Sequence, residues 1–159
     1  MEALLMEKAI VKSVAGPVDL NTAAITGGRV AMKNMKRVAF VINLGAGTTT
    51  AAHLFTLKQH TAASGGSSAD LEVANPYFHK IGAATSFSKV EPTVAAAAYD
   101  LHALLGDNAS MVVLEVLAEQ LADGYTHASL DLADAGGAQL VSVIALGDSE
   151  FKPAYSQVV

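Results

Sequence analysis

From residue 37 to residue 44 the chain alternates strictly. Val38, Phe40, Ile42 and Leu44 share one parity, and Arg37, Ala39, Val41 and Asn43 share the other. A period of two sorts these sets onto opposite faces of an extended strand, so the segment predicts a half-buried or central strand. A second alternation sets Ala128, Leu130 and Leu132 inward against His127, Ser129 and Asp131, and an apolar run at residues 140–146 follows. The intervening Asp134-Ala135-Gly136-Gly137 predicts a hairpin between the two. Weaker strand patterns occupy residues 29–33, 54–59, 71–73, 77–81 and 85–90. Punctuation by Gly16-Pro17, Gly27-Gly28, Gly45-Ala46-Gly47, Asn75-Pro76 and Gly106-Asp107-Asn108 recurs at intervals that suit many short strands.

Two segments depart from this rhythm. Residues 94–105 are alanine-rich, Leu101, Leu104 and Leu105 lie on one helical stripe, and Thr93 and Gly106 stand where a cap and a terminating glycine belong, which predicts a short helix. Residues 111–121 fit either period. Val112, Leu114, Val116 and Ala118 form a period-two face, and the β-branched valines favour a strand to about Glu119. The pattern predicts a mainly β protein: a single-domain β-sandwich or flattened barrel spanning residues 15–159, with one short helix and an N-terminal arm or edge strand over residues 1–14.

Composition sharpens this. Of 159 residues, 52% are hydrophobic and 16% charged, with a net charge of −5. Intrinsic disorder is excluded, and so is a basic footprint for nucleic acid or a polybasic membrane patch. Few charges imply a surface of small apolar groups, which suits a subunit packed against neighbours better than a free monomer. The arm carries Leu4, Leu5, Ile10 and Val11, and these are the expected interface residues, added as a strand to a neighbouring subunit. The first ten residues carry Glu2, Glu7 and Lys8 and read as a cytoplasmic start without a secretory signal. No uncharged stretch reads as a membrane span.

Candidate chemistry is sparse. Cysteine is absent, which removes disulfides, thiolate metal sites and a cysteine nucleophile. Asn43-Leu44-Gly45-Ala46-Gly47-Thr48-Thr49-Thr50 superficially resembles a phosphate-binding loop, but it lacks the Walker lysine, and Thr50 stands where a dinucleotide loop needs a third glycine. A strand-to-strand turn with positive-φ glycines is the better reading. His53, His60, His79, His102 and His127 are spread singly, without metal-ligand spacing, although pairing could gather His53 and His60 near Asp70. His127 and Asp131 share a strand face but stand about 13 Å apart, too far for a catalytic hydrogen bond. Ser64, Ser67 and Ser68 lie in a glycine-rich loop whose nearest base in sequence is His60. Glu115 and Glu119 share a strand face, where Met111 and Val113 suggest an edge or interface face instead of a carboxylate pair. Lys33, Lys36 and Arg37 read as a solvated hairpin turn. No catalytic residue, metal or cofactor is expected.

Residues 18–24 (VDLNTAA), 37–45 (RVAFVINLG), 55–60 (FTLKQH), 113–121 (VLEVLAEQL) and 125–136 (YTHASLDLADAG) together resemble small virion structural proteins of tailed bacteriophages. The likeness covers most of residues 18–146 and is one of overall texture, without a diagnostic motif. It implies a non-enzymatic capsid decoration, or cement, protein that binds the major capsid protein lattice as an oligomer, with a homotrimer expected at a threefold site. It places the protein on the capsid surface of the virion, made in the host cytoplasm, with no direct contact to nucleic acid or membrane. A head-completion or tail-junction protein is an alternative of similar length. A ligand-binding β-sandwich is another, weakened by the absence of tryptophan and an aromatic content of 6%.

Overall fold

The computed structural model describes residues 9–21, 23–48 and 53–149. In chain order these hold β1 (Ala9–Asp19), β2 (Val30–Ala31), β3 (Met35–Leu44), β4 (Leu54–His60), β5 (Ser68–Asp70), β6 (Tyr77–Ile81), β7 (Ser88–Val90) and β8 (Ala98–Asp100). A helix α1 (Leu101–Leu105), β9 (Ser110–Leu117), a 3-10 turn (Ala118–Gln120), β10 (His127–Leu132) and β11 (Leu140–Ser149) follow. Two antiparallel sheets result. The first has six strands in the order β1-β11-β3-β9-β6-β7, and the second has five, four of them in the order β2-β10-β4-β5 and the fifth, β8, attached to β4 off this path. The sheets do not close into a barrel, so the sandwich is the architecture.

The alternation in the sequence builds the core. Val38, Phe40 and Ile42 of β3, Val112, Leu114 and Val116 of β9, and Val141, Val143 and Ala145 of β11 form the inner face of the six-stranded sheet. They meet Phe55 and Leu57 of β4 and Ala128, Leu130 and Leu132 of β10, all of them buried. Each large side chain so enclosed contributes about 1.5–3 kcal/mol of transfer free energy. Within residues 111–121 the strand reading holds: β9 runs to Leu117 with its valine face inward, and the 3-10 turn begins at Ala118.

Several expectations are corrected. β10 and β11 form no hairpin; they belong to different sheets. The link between them is bonded elsewhere: Ala133 N–H donates to Leu54, Ala135 N–H to the Leu20 carbonyl at 2.9 Å, and Gln139 N–H to Asp19 Oδ1 at 2.8 Å. Those bonds carry the chain across the core, from one layer to the other. The predicted helix over 94–105 shrinks to Leu101–Leu105. Upstream, Ala96 exchanges backbone hydrogen bonds with Val73 at 3.0 and 3.1 Å, and β8 pairs with β4, so sheet pairing overrides alanine's helix propensity. Asp100 replaces Thr93 as the cap, accepting from His102 and Ala103 N–H groups, while Gly106 ends the helix as expected, at φ 58°.

Strand extents differ too. Residues 85–90 form a strand only at Ser88–Val90, residues 29–33 only at Val30–Ala31, and residues 71–73 contribute one bridge, from Val73 to Ala96. Ser68–Asp70, read as loop at its start, pairs instead with β4. The Lys33-Asn34 turn is no hairpin either, since it joins β2 to β3 across the two sheets, with Asn34 at φ 61°. Gly45 and Gly47 do not supply positive φ. Gly47 is small because its Cα faces the Gln139 side chain, whose amide donates to the Gly45 carbonyl at 2.8 Å.

Candidate assembly surface

The inner face of the six-stranded sheet is apolar by necessity; its outer face is apolar as well. Cross-strand register defines the rows. Ser13, Ile144, Val41, Val113 and Phe78 stand side by side on β1, β11, β3, β9 and β6. The next row is Val11, Leu146, Ala39 and Glu115, and on the other side runs Ser142, Asn43, Met111 and Lys80. Ile144 and Leu146 are 37% and 36% exposed, and Leu140, at the end of the same face, is 58% exposed. An antiparallel sheet with one solvated face ordinarily carries polar residues there.

Charge is confined to the rim. Arg37 lies 3.5 Å from Glu115 and 3.6 Å from Asp148, a partly solvated network at one end of the strands. A shallow hollow of about 320 Å³ opens beside it, lined by Pro76, Phe78, Lys89, Glu115 and Leu117 among others. Both Met111 and Val113, which the sequence marks as an edge or interface face, lie on this surface, on a strand interior to the sheet and not at its edge. Glu119 does not share Glu115's face; it sits in the 3-10 turn after β9 has ended.

Of the four interface residues expected from the sequence, Leu4 and Leu5 lie outside the described residues. Ile10 is buried in the core, and Gly147 lies between it and Met35. Val11 points the other way, directly across from Leu146 on the outer face. Residues 9–14 therefore belong to β1, the edge strand of the sheet. The inner part of that edge is covered, because Val14 O accepts from Gly28 N–H at 2.9 Å and Lys12 Nζ donates to the Arg29 carbonyl at 2.6 Å.

The five-stranded sheet behaves differently. Thr56, Lys58, Ser129, Asp131 and His127 occupy its outer face, as the alternation predicts. Lys58 and Asp70 form an ion pair at 2.6 Å. His60 is buried there, with Nδ1 2.7 Å from Ser68 Oγ and Nε2 2.8 Å from Ser129 Oγ. Burial and then the nearby Arg29 guanidinium lower its pKa, disfavouring the protonated ring. Arg29 also holds the following loop, donating to the carbonyls of Ala62 and Gly65 at 2.8 and 2.6 Å. This cluster fastens the β4–β5 connection to β10. Ser68 and His60 do meet, and Ser68 Oγ also accepts from Arg29 at 3.4 Å, so the hydroxyl is part of this fastening.

The remaining candidates do not converge. Asp131 Oδ1 accepts from Gly27 N–H at 3.0 Å, and His127 Nδ1 lies 2.8 Å from Thr126 Oγ1, so this pair shares no partner. His53 is buried against the edge of His102 with ring centroids 5.2 Å apart, and its Nε2 finds no partner among the described residues. Desolvation, then His102, lowers the His53 pKa. Among the described residues no three histidine, aspartate or glutamate side chains are grouped to hold a metal ion. A groove of about 410 Å³ runs between Met32, Leu121, Tyr125 and His127 and is largely apolar.

Single-strand patterns do not show pairwise register, so the sequence points to the arm and not to this sheet face. Its signal was present in residues 140–146, where Leu140, Ile144 and Leu146 accompany Val141, Val143 and Ala145, so both parities are largely apolar.

No family model matches the chain, and no curated protein sequence matches it. Among solved structures it is similar to the crystal structure of SPBc2 prophage-derived protein YomS, with a TM-score of 0.45 and 10% sequence identity over 92% of this chain and 99% of that one. At that superposition score and identity the likeness says nothing about what this chain does.

Proposed function

We propose that this chain is a non-enzymatic structural subunit of a bacteriophage virion, a decoration protein that binds the assembled capsid shell and reinforces it. The observation that carries the assembly role is the outer face of the six-stranded sheet, where Val11, Ile144, Leu146, Val41, Val113 and Phe78 leave apolar surface that the sandwich itself does not cover. Surface of this kind marks contact with another macromolecule. The resemblance of the sequence to small virion proteins of tailed phages names the assembly.

The physics of such a role rests on repetition. A subunit that touches both the shell and its own copies binds with avidity, because each further contact forms within an assembly already made. Modest interfaces then hold firmly, and cross-linked shell proteins resist the outward pressure of packaged DNA. A ring at a threefold lattice site, the expected trimer, would use the edge strand β1 against a neighbouring copy. The test is sedimentation of the purified chain with empty shells of the phage that encodes it. Saturable co-sedimentation is the expected result; a chain that stays in the supernatant at every concentration overturns the reading.

A further inference from the structure

We infer that the outer face of the six-stranded sheet docks against the same face of a second copy, related by a two-fold axis through the row Ile144–Val41–Val113–Phe78. The inference rests on the assembly reading above and adds the occupant of the surface. Size is the first argument. Five strands at about 4.8 Å spacing, mostly eight to eleven residues long at about 3.4 Å each, outline roughly 650 Å² in projection. A standard interface takes about 600–1,000 Å² from each partner, so the face matches what a stable dimer needs.

Charge is the second argument. A two-fold axis lying across the strands keeps strand order and reverses strand direction, so the Ile144–Val41–Val113–Phe78 row meets itself. The row holding Ala39 and Glu115 then meets the row holding Asn43, Met111 and Lys80. Glu115 comes to lie over Met111 of the partner subunit, one strand away from Lys80 of the partner subunit, and the symmetry repeats the pair. Glu115 stands 3.5 Å from Arg37 of its own chain and Lys89, further out on β7, 2.5 Å from Glu91, whereas Lys80 has no ion-pair partner among the described residues and is the cation of this face left for a partner carboxylate. The surface is thus apolar at its centre and self-complementary at its sides, which is the requirement for an isologous contact. Aligned sheet packing at about 30°, with interdigitating side chains, is the ordinary way two such faces meet.

Sedimentation equilibrium of the full chain over a wide concentration range tests this. The wild-type chain should fit a monomer–dimer equilibrium. Val41→Asp should raise the dissociation constant by at least a hundredfold while leaving the circular dichroism spectrum unchanged. Glu115→Lys and Lys80→Glu should each weaken pairing about tenfold, and the double variant should recover most of it. A wild-type chain that is monomeric throughout, a trimer insensitive to Val41→Asp, or charge variants without rescue would overturn the inference. Repeating the shell sedimentation separates the two proposals. A monomer that binds shells in a Val41-dependent way overturns the pair and keeps the virion reading, whereas a dimer that ignores shells does the reverse.

Discussion

Ile144 and Val41 stand directly across from each other on the outer face of the six-stranded sheet, one residue out of phase with Val143 and Ile42, which stand across from each other in the core. Two apolar pairs adjacent in sequence therefore have different roles. Val143 is fully buried, so Val143→Ala should cost about 2 kcal/mol of folding stability. Ile144→Thr should change monomer stability by less than about 0.5 kcal/mol. Urea denaturation at low protein concentration checks both, and equal losses would contradict the assignment of faces.

Glycine substitutions separate close approach from mere flexibility. A Cβ at Gly27 would run into the carbonyl oxygen of Leu130, a backbone atom that cannot step aside. Gly27→Ala should therefore destabilise by about 3 kcal/mol, as overpacking does. At Gly147 the obstacle is the end of the flexible Met35 side chain, and the loss should be smaller. Nothing lies within 4 Å at Gly16, so Gly16→Ala should be neutral or slightly stabilising. Thermal midpoints should fall in that order, and a tolerated Gly27→Ala would count against the Gly27–Leu130 contact.

Acid should weaken the fold. Burial holds His53, His60 and His127 below the ordinary value of 6.5, helped by His102 at the first and by Arg29 at the other two. The unfolded chain then binds more protons than the folded one once the pH drops below about 6.5, so this stability is complete above 6.5 and lost as pH falls toward the folded values. The urea midpoint should be lower at pH 5 than at pH 7.5. His60→Asn should flatten that dependence, and an unchanged slope would contradict the placement of a neutral His60 between Ser68 and Ser129.

The amide pair Asn75 and Gln120 offers a local test. Each side-chain nitrogen donates to the other's oxygen at 2.8 Å, while Gln120 Oε1 also accepts from Leu117 N–H at 2.9 Å and Asn75 donates to the Glu115 carbonyl. Gln120→Ala leaves several of these groups without partners and should cost about 2 kcal/mol. Faster amide exchange at Leu117 would accompany it, and protection equal to wild type would argue against the bond.

What the sequence made legible follows from what is local. The alternations in β3, β9 and β10 report burial within one strand, and the core they predict is the core found. Pairing between distant segments is a different quantity. The Asp134-Ala135-Gly136-Gly137 link has turn chemistry but is tied to Leu20 and Asp19, more than a hundred residues earlier, so turn residues alone misassigned β11. In residues 94–105 the alanines carried a helix propensity that the open edge of β4 and the bridge to Val73 outweighed. The apolar outer face is legible only once Ile144, Val41, Val113 and Phe78 are known to be neighbours.

The central proposal is that this chain is part of an assembled phage particle. Quantitative mass spectrometry of density-purified virions of the phage proposed to encode it, measuring copies of this polypeptide per copy of major capsid protein, addresses it directly. A fixed stoichiometric ratio that survives repeated purification is the predicted result; particles of full infectivity that contain none of it would contradict the account.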